Sequence, residues 1–428
     1  MNEPLPILLH APRLSLALVP ELNAPDDPAA GQRWGTSLLA DAIRERASDI
    51  HFDPLGDVIR VRFRIDGALH DVVTLQEALG QRLVRYFKAS SDLDPVTALL
   101  PTNSHMQFQL DGKTIDLRIA CAPCVTGERM TLRILQHARA ALRLTELGLA
   151  EDQQEWIARW LDDLNGMLLV TGPTGSGKTT TLYALLAEMQ LMRHSVVTIE
   201  DPVEYQIAGV SQMQVDAKHG LSFAEGLRAA LRLDPDYILL GEIRDPDSAE
   251  VALEAASTGH VLLSTLHSRD AAGAVTMLRN LGLASQDVAS SLAFVLAQRL
   301  VRKLCLECRR EEAPTKADAR WLRAIGEPVP AQVWRAPGCD ACGHDGYTER
   351  TAVFEVWPID EESYDVILAD TGEHALRDHL RMRGVRSILR SGLEKARAGI
   401  TDFSELRAMG VRSYLEGPRR SESHPPQP

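Results

Sequence analysis

Gly172-Pro-Thr-Gly-Ser-Gly177-Lys178-Thr179-Thr180 is preceded by the apolar run Met167–Thr171 and followed by Leu182, Leu185, Leu186 and Met189 at helical spacing. A strand that enters a glycine-rich loop and opens into a helix is a phosphate-binding arrangement. Glycines are needed there because the loop must turn successive backbone N–H groups toward phosphate oxygens without side chains in the way. The following helix adds its positive N-terminal end. Lys178 is placed to reach the β- and γ-phosphates, and the Thr179 hydroxyl to ligate Mg²⁺. Gly172, Pro173, Thr174, Gly175, Ser176, Gly177, Lys178, Thr179 and Thr180 therefore read as a nucleotide site for ATP with Mg²⁺. A plain glycine-rich turn is the competing reading, and the strand before and helix after weigh against it.

Working outward, Ser195–Ile199, Tyr237–Leu240 and Val261–Leu266 are further short apolar runs suited to buried parallel strands, with helical spacing between them. From about residue 151 the chain thus has the α/β pattern of a mononucleotide-binding domain. In such sheets ligands bind at the carboxyl ends of the strands, and polar groups follow three of these runs. Thr198-Ile-Glu200-Asp201-Pro202-Val-Glu204 places carboxylates where a water could be oriented or deprotonated, although a solvated acidic turn has the same local sequence. Asp236-Tyr-Ile-Leu-Leu-Gly241-Glu242 ends an apolar strand in Gly-Glu, which suits Glu242 to a water-mediated Mg²⁺ role better than to direct ligation. His260 and His267 bracket the last run. Each alone is an ordinary structural histidine; on one sheet with the loop they become candidate sensors of the γ-phosphate.

The flanking segments differ in character. Residues 1–34 hold six prolines and read as an arm with a short strand at Leu14–Val19. Residues 35–138 read as a small α+β domain: a helix at Leu38–Arg46, an alternating strand at Val58–Ile65, and a strand pair at Met106–Leu110 and Thr114–Ile119 joined by Asp111-Gly112. Residues 139–150 form a linker, 151–300 the ATPase domain, 301–350 a cysteine module, 351–416 a mainly helical subdomain, and 417–428 a disordered tail. Cys305-x2-Cys308 and Cys339-x2-Cys342 supply four thiols at zinc-knuckle spacing. Arg302, Lys303, Arg309 and Arg310 beside the first pair would favour the thiolates. Cys121-x2-Cys124 has no second pair nearby and reads as two ordinary small residues.

Composition narrows the class. The net charge of −13 argues against diffuse attraction to nucleic acid, and the cysteine module has little aromatic interleaving to stack bases. No apolar stretch approaches the roughly 18 residues of a membrane span. A cytoplasmic protein that meets a membrane only through partners is expected.

GPTGSGKTTTLY, VTIEDPVEY, DPDYILLGEIRD and STGHVLLSTLH, in this order, resemble the Walker A, Asp, Walker B and His boxes of the secretion ATPases of type II secretion and type IV pilus assembly. CLEC with GCDACGHDGYTER resembles that family's tetracysteine zinc module, and ASDIHFDP, VRFRIDGAL and IDLRIACAPCVTGERMTLRIL its N-terminal partner domain. The resemblance covers roughly residues 36–410. It implies a RecA-like P-loop domain in a homohexameric ring, and an inner-membrane platform protein that turns ATP hydrolysis into addition of pilin-like subunits. It also implies roles: Glu200, with Glu204 nearby, in water activation, Glu242 in Mg²⁺ handling, His260 and His267 in nucleotide sensing, and Arg118 in contacting phosphate across a domain or subunit boundary. Two departures stand out. Where the family commonly has Gln-Asp-Gly-Arg, this chain has Pro101-Thr-Asn-Ser-His105, a titratable group in place of a permanent cation. Only a short proline-rich arm precedes the first domain, where secretion members carry a longer domain that docks to a membrane recruiter. Pilus assembly is the nearest alternative; a zinc-ribbon nucleic-acid translocase and an inactive nucleotide-binding scaffold are those of another class.

Overall fold

The computed structural model describes residues 8–9, 30–96, 100–135, 142–189 and 191–410. The strand expected at Leu14–Val19 and the tail at 417–428 lie outside them. The chain forms two compact units, residues 1–139 and 140–428.

The first unit contains β1 (Leu8–Leu9), α1 (Ala30–Arg44), β2 (Asp49–Pro54), β3 (Val58–Ile65), β4 (Ala68–Gln76), α2 (Glu77–Ala89), β5 (Thr102–Leu110), β6 (Lys113–Cys124) and β7 (Gly127–Leu135). They build one antiparallel sheet in the order β1-β4-β3-β2-β7-β6-β5. Alternation decides its faces. Ile59, Val61 and Phe63, with Leu117, Ile119, Leu132 and Ile134, are buried among Trp34, Leu38 and Leu39 of α1 and Leu83 and Phe87 of α2. The other face is charged: Arg62 and Arg129 reach Asp53 at 2.7 and 3.1 Å, and Arg133 reaches Asp49 at 2.9 Å. Inside, Lys88 of α2 bonds both carboxylate oxygens of Glu128 on β7 at 3.1 and 3.0 Å, so a buried ammonium is matched by a buried carboxylate.

The second unit contains α3 (Glu151–Asp163), β8 (Met167–Thr171), α4 (Lys178–Glu188), β9 (Val196–Glu200), β10 (Ser211–Gln214), α5 (Phe223–Ala230), β11 (Tyr237–Leu240), α6 (Pro246–Ser257), β12 (Val261–Leu266), α7 (Ala271–Asn280), α8 (Ser285–Ser291) and β13 (Leu292–Leu304). Then come β14 (Arg310–Glu312), α9 (Lys316–Ala324), β15 (Val333–Arg335), β16 (Tyr347–Pro358), α10 (Glu361–Leu368), α11 (Glu373–Met382), α12 (Ile388–Arg397) and α13 (Phe403–Ala408). Its main sheet runs β10-β9-β11-β12-β8-β13-β16, parallel throughout except for the last strand. Every residue of β8, β9, β11 and β12 is buried. Alternate residues of β8 feed two cores, Met167 and Leu169 into one and Leu168 and Val170 into the other, because helices cover both sheet faces.

The stretch from 351, in which four helices follow, begins with a strand that the sequence reading did not separate: Thr351-Ala-Val-Phe-Glu-Val-Trp lies in β16 and pairs antiparallel with β13, Val301 opposite Thr351 and Phe294 opposite Pro358. The β-branched and aromatic content of this run fits a strand buried on both faces. The cysteine segment is therefore an excursion between two adjacent strands of the main sheet. Among the described residues, no helix is long and apolar enough to cross a membrane.

Asp318 of α9, fully buried, joins two elements of that excursion, α9 and β15, to α13. It accepts bonds from the N–H and hydroxyl of Thr315 (2.9 and 2.7 Å), from Arg335 on β15, and from Arg407 on α13 at 2.5 Å. Burial pushes its pKa up, but the Thr315 donors and the two guanidinium groups outweigh this and hold it below the usual carboxylate range. A depressed carboxylate stabilises the fold above its unfolded pKa of about 3.9, and the contribution is lost as pH falls through the folded value. Asp318→Asn should lower unfolding stability at pH 7 by about 3 kcal/mol. In urea titrations it should also remove part of the acid-dependent loss below pH ~4.

Candidate functional site

The loop between β8 and α4 lies at the carboxyl edge of the parallel sheet. Gly172 is hemmed in: a Cβ there would sit 2.5 Å from the Gln298 carbonyl and from Ser176 Oγ. Gly177 has φ +87°, a conformation other residues adopt only with strain. Lys178 opens α4, and its Nζ donates to the carbonyls of Gly172 (3.0 Å) and Pro173 (3.4 Å). Burial, and then the positive charge of Arg299, lower its pKa. Thr179 and Thr180, in the first turn of α4, are exposed.

Glu200 ends β9 and is buried, 3% exposed. Its partners are neutral. Tyr183 of α4 donates to Oε2, while Thr198 Oγ1 (2.5 Å) and Gln212 Nε2 (3.1 Å) donate to Oε1. Tyr183 pays in acidity: burial first, then its bond to Glu200, push its pKa well above the ordinary phenol value. Glu204 follows in an exposed loop.

Glu242, just past β11, has cationic and titratable partners instead. Arg244 pairs closely with Oε1, and His267 Nε2 lies 3.0 Å from Oε2. Arg244 also sits over the Phe223 ring, 5.2 Å from its centroid, and reaches Asp201 at 3.4 Å. Partial desolvation, then Lys178 and Arg244, lower the pKa of His267, and a hydrogen bond with the backbone of Gly172 acts in the opposite direction. The Thr265 hydroxyl donates to Gly241 O at 2.8 Å, locking the β11 and β12 ends that carry these groups.

The two histidines separate. His260 precedes β12 at its amino end, where Nδ1 lies 3.1 Å from Ala255 O and 3.2 Å from Thr258 Oγ1. All strands flanking the loop run the same way, so this edge is the one opposite the loop. Within this chain His260 closes the turn after α6, away from the loop. Arg118 belongs to the first unit, on β6, opposite His105 of β5 and Arg133 of β7, and its buried Nε has no hydrogen-bond partner there.

Tyr183, Thr198, Gln212 and Gln298 escaped the sequence reading. Gln298 carried a usable signal, an amide directly after the apolar run Leu292-Ala-Phe-Val-Leu-Ala, because a polar side chain buried in a central strand needs partners. The partners of Glu200 carried none, since they meet only in the fold.

Cys305, Cys308, Cys339 and Cys342 converge, with all four sulfur atoms within 4.8 Å of one another. The pairs 305–339, 308–342 and 339–342 are 3.8, 3.9 and 3.8 Å apart. Four thiolates at about 2.3 Å from a tetrahedral ion have their sulfur atoms about 3.8 Å apart, so the set fits a metal and not disulfides. The expected help from flanking cations is absent: Arg302 pairs with Glu405 and Asp345, Lys303 with Glu349, Arg310 with Glu312, and Arg309 donates to Gly399 O. Backbone donors act instead. Burial pushes the Cys342 thiol up, but N–H groups of Cys339 and Gly346, both 3.2 Å away, help bring it down to about 7. Burial drives Cys308 up to about 12. Cys121 is buried and Cys124 exposed at the end of β6.

Residues 26–408 match the family model described as type II/IV secretion system protein. The chain belongs to that family. It is 41% identical over 387 residues to the type II secretion system protein E of Aeromonas hydrophila, covering 89% of this chain and 76% of the relative. It is 40% identical over 388 residues to the type II secretion system ATPase E of Vibrio cholerae (90% and 76%). With the type IV pilus assembly ATPase PilB of Acinetobacter baylyi it shares 39% over 388 residues (89% and 66%). The fold matches the ATPase DotB of Legionella pneumophila (TM-score 0.63, 21% identity, 87% of this chain and 94% of that one). It also matches the pilus retraction motor PilT with bound ADP (0.58, 22%, 88% and 97%). The chain is thus a secretion or pilus-assembly ATPase. Metal analysis of the purified secretion ATPase should find one tightly held metal ion per chain, lost in Cys305→Ser; a folded, metal-free native protein would contradict the cluster geometry.

Proposed function

We propose that this chain is the ATP-hydrolysing motor of a type II secretion system. It works as a homohexamer on the cytoplasmic side of the inner membrane and drives pseudopilus assembly through a membrane platform protein, held in place by that protein or by a separate recruiter. The observation that carries the catalytic part is the convergence of the Gly172–Thr180 loop, Glu200 and the Glu242–His267 pair on one edge of one sheet. The loop N–H groups and Lys178 bind the phosphates of ATP. Thr179 offers its hydroxyl to Mg²⁺ and Glu242 a carboxylate through water; the ion, when bound, offsets charge on the β- and γ-oxygens.

Glu200 orients or deprotonates the attacking water. Its neutral donors hold the carboxylate in one rotamer without pairing it to a cation. Glu204 is the weaker candidate, being exposed. His267 follows the γ-phosphate through Glu242 and the Gly172 backbone. Arg118, with an unpartnered buried Nε, is the phosphate contact contributed from the first unit of the same or a neighbouring subunit. The four cysteines hold zinc, which fixes the excursion between β13 and β16. We read residues 35–138 as the part that moves against the ATPase domain at 151–300.

Type IV or competence pilus assembly is the second reading, favoured by the similarity to PilB. Partners co-purified from the native cell separate the two: pseudopilins and a secretin for secretion, pilins for a pilus. Stimulation of ATP hydrolysis by DNA rather than by a platform-protein cytoplasmic domain would overturn both. Lys178→Ala should abolish turnover. Glu200→Gln should retain ATP binding and lower kcat by roughly 10²- to 10⁴-fold. Loss of binding in Glu200→Gln would reassign that residue.

A further inference from the structure

Gln298 of β13 touches the phosphate loop from the side away from its N–H groups. It is 1% exposed. Its Nε2 donates to the Ser176 carbonyl at 2.7 Å, and its Oε1 accepts from the Thr181 hydroxyl at 2.8 Å. One planar amide thus grips the loop and the first turn of α4 together. A trans peptide is rigid, with its C=O and the next N–H pointing in opposite directions. Holding the Ser176 carbonyl outward therefore holds the Gly177 N–H inward. The fit is close: a Cβ on Gly177 would lie 3.3 Å from Gln298 Nε2, and the Gln298 backbone carbonyl fills the space a Cβ on Gly172 would need. Only a side chain with a donor and an acceptor on one plane satisfies both partners. A carboxylate lacks the donor, and an apolar residue lacks both.

We propose that Gln298 is the positioning residue of the phosphate loop, locking the Ser176–Gly177 peptide with its N–H toward the phosphates. The proposal rests on reading Gly172–Thr180 as the nucleotide site. Affinity for the phosphate chain is then set partly from β13, a strand that contributes no group to the phosphates themselves. A buried glutamine that merely fills space would affect folding and turnover together; a positioning residue affects KM.

The test uses the full-length ATPase, with steady-state ATP kinetics and urea unfolding of each variant. Gln298→Met, similar in volume but without either polar group, should raise KM for ATP about tenfold while kcat changes less than about threefold. Thr181→Val keeps the donor to Ser176 but frees the other end of the amide. It should raise KM by a smaller factor at unchanged kcat, and it keeps the proposal testable if Gln298→Met does not fold. A folded Gln298→Met with native KM overturns the proposal. So does a parallel collapse of kcat and urea midpoint without a selective KM change in either variant. Lys178→Ala is the control: if it hydrolyses ATP normally, the nucleotide site itself is misassigned, whereas a dead Lys178→Ala beside a native-like Gln298→Met sinks only the glutamine.

Discussion

A phosphate loop must satisfy two opposed demands: its N–H groups have to stay free for the ligand, yet the loop must not collapse onto them. Helices and strands rigidify a backbone by pairing those same N–H groups, so this segment has to be held by its carbonyls and its flanks. Gln298 and Lys178 take carbonyls of Ser176, Gly172 and Pro173, and Thr171 is pinned by its hydroxyl, 2.7 Å from Ser268 Oγ. The strand order follows from this demand. β8 lies between β12 and β13, so the loop it feeds has a supporting strand end on either side.

The same edge shows how one fold gives two carboxylates different characters. Glu200 meets a phenol, an alcohol and an amide; Glu242 meets a guanidinium and an imidazole. Neutral donors orient a carboxylate while leaving its charge uncompensated, whereas a cationic partner such as Arg244 offsets it and ties it to the electrostatics of its neighbours. Separate chemical roles for two residues of the same type need no more than this.

Much of this was legible in the sequence, for a physical reason. Val58–Ile65, Met167–Thr171, Tyr237–Leu240 and Val261–Leu266 coincide with strands because alternation, or an unbroken apolar run between turn residues, reflects how many faces a strand buries. The four zinc-spaced cysteines were legible because their ligand role is carried by local spacing. What depends on tertiary register was not. β16 was read as the start of a helical region because the helices after it dominate the composition, and pairing with β13 decides its state. His260 and His267 looked equivalent until strand direction put one at each end of β12. Cations beside Cys305 seemed aimed at the thiols, but long side chains go to the nearest carboxylate or carbonyl, here in α13 and the β16 hairpin.

β13 carries both Gln298 and, one residue past its end, Cys305. The pairing of β13 with β16 shifts register between Arg302 and Leu304, so the seven-residue step from glutamine to cysteine is set by that irregularity as well as by strand alternation. A single insertion or deletion in that interval would turn either the glutamine from the loop or the cysteine from its cluster. Relatives of this protein should therefore vary hardly at all in length along the strand that leads into the cysteine excursion.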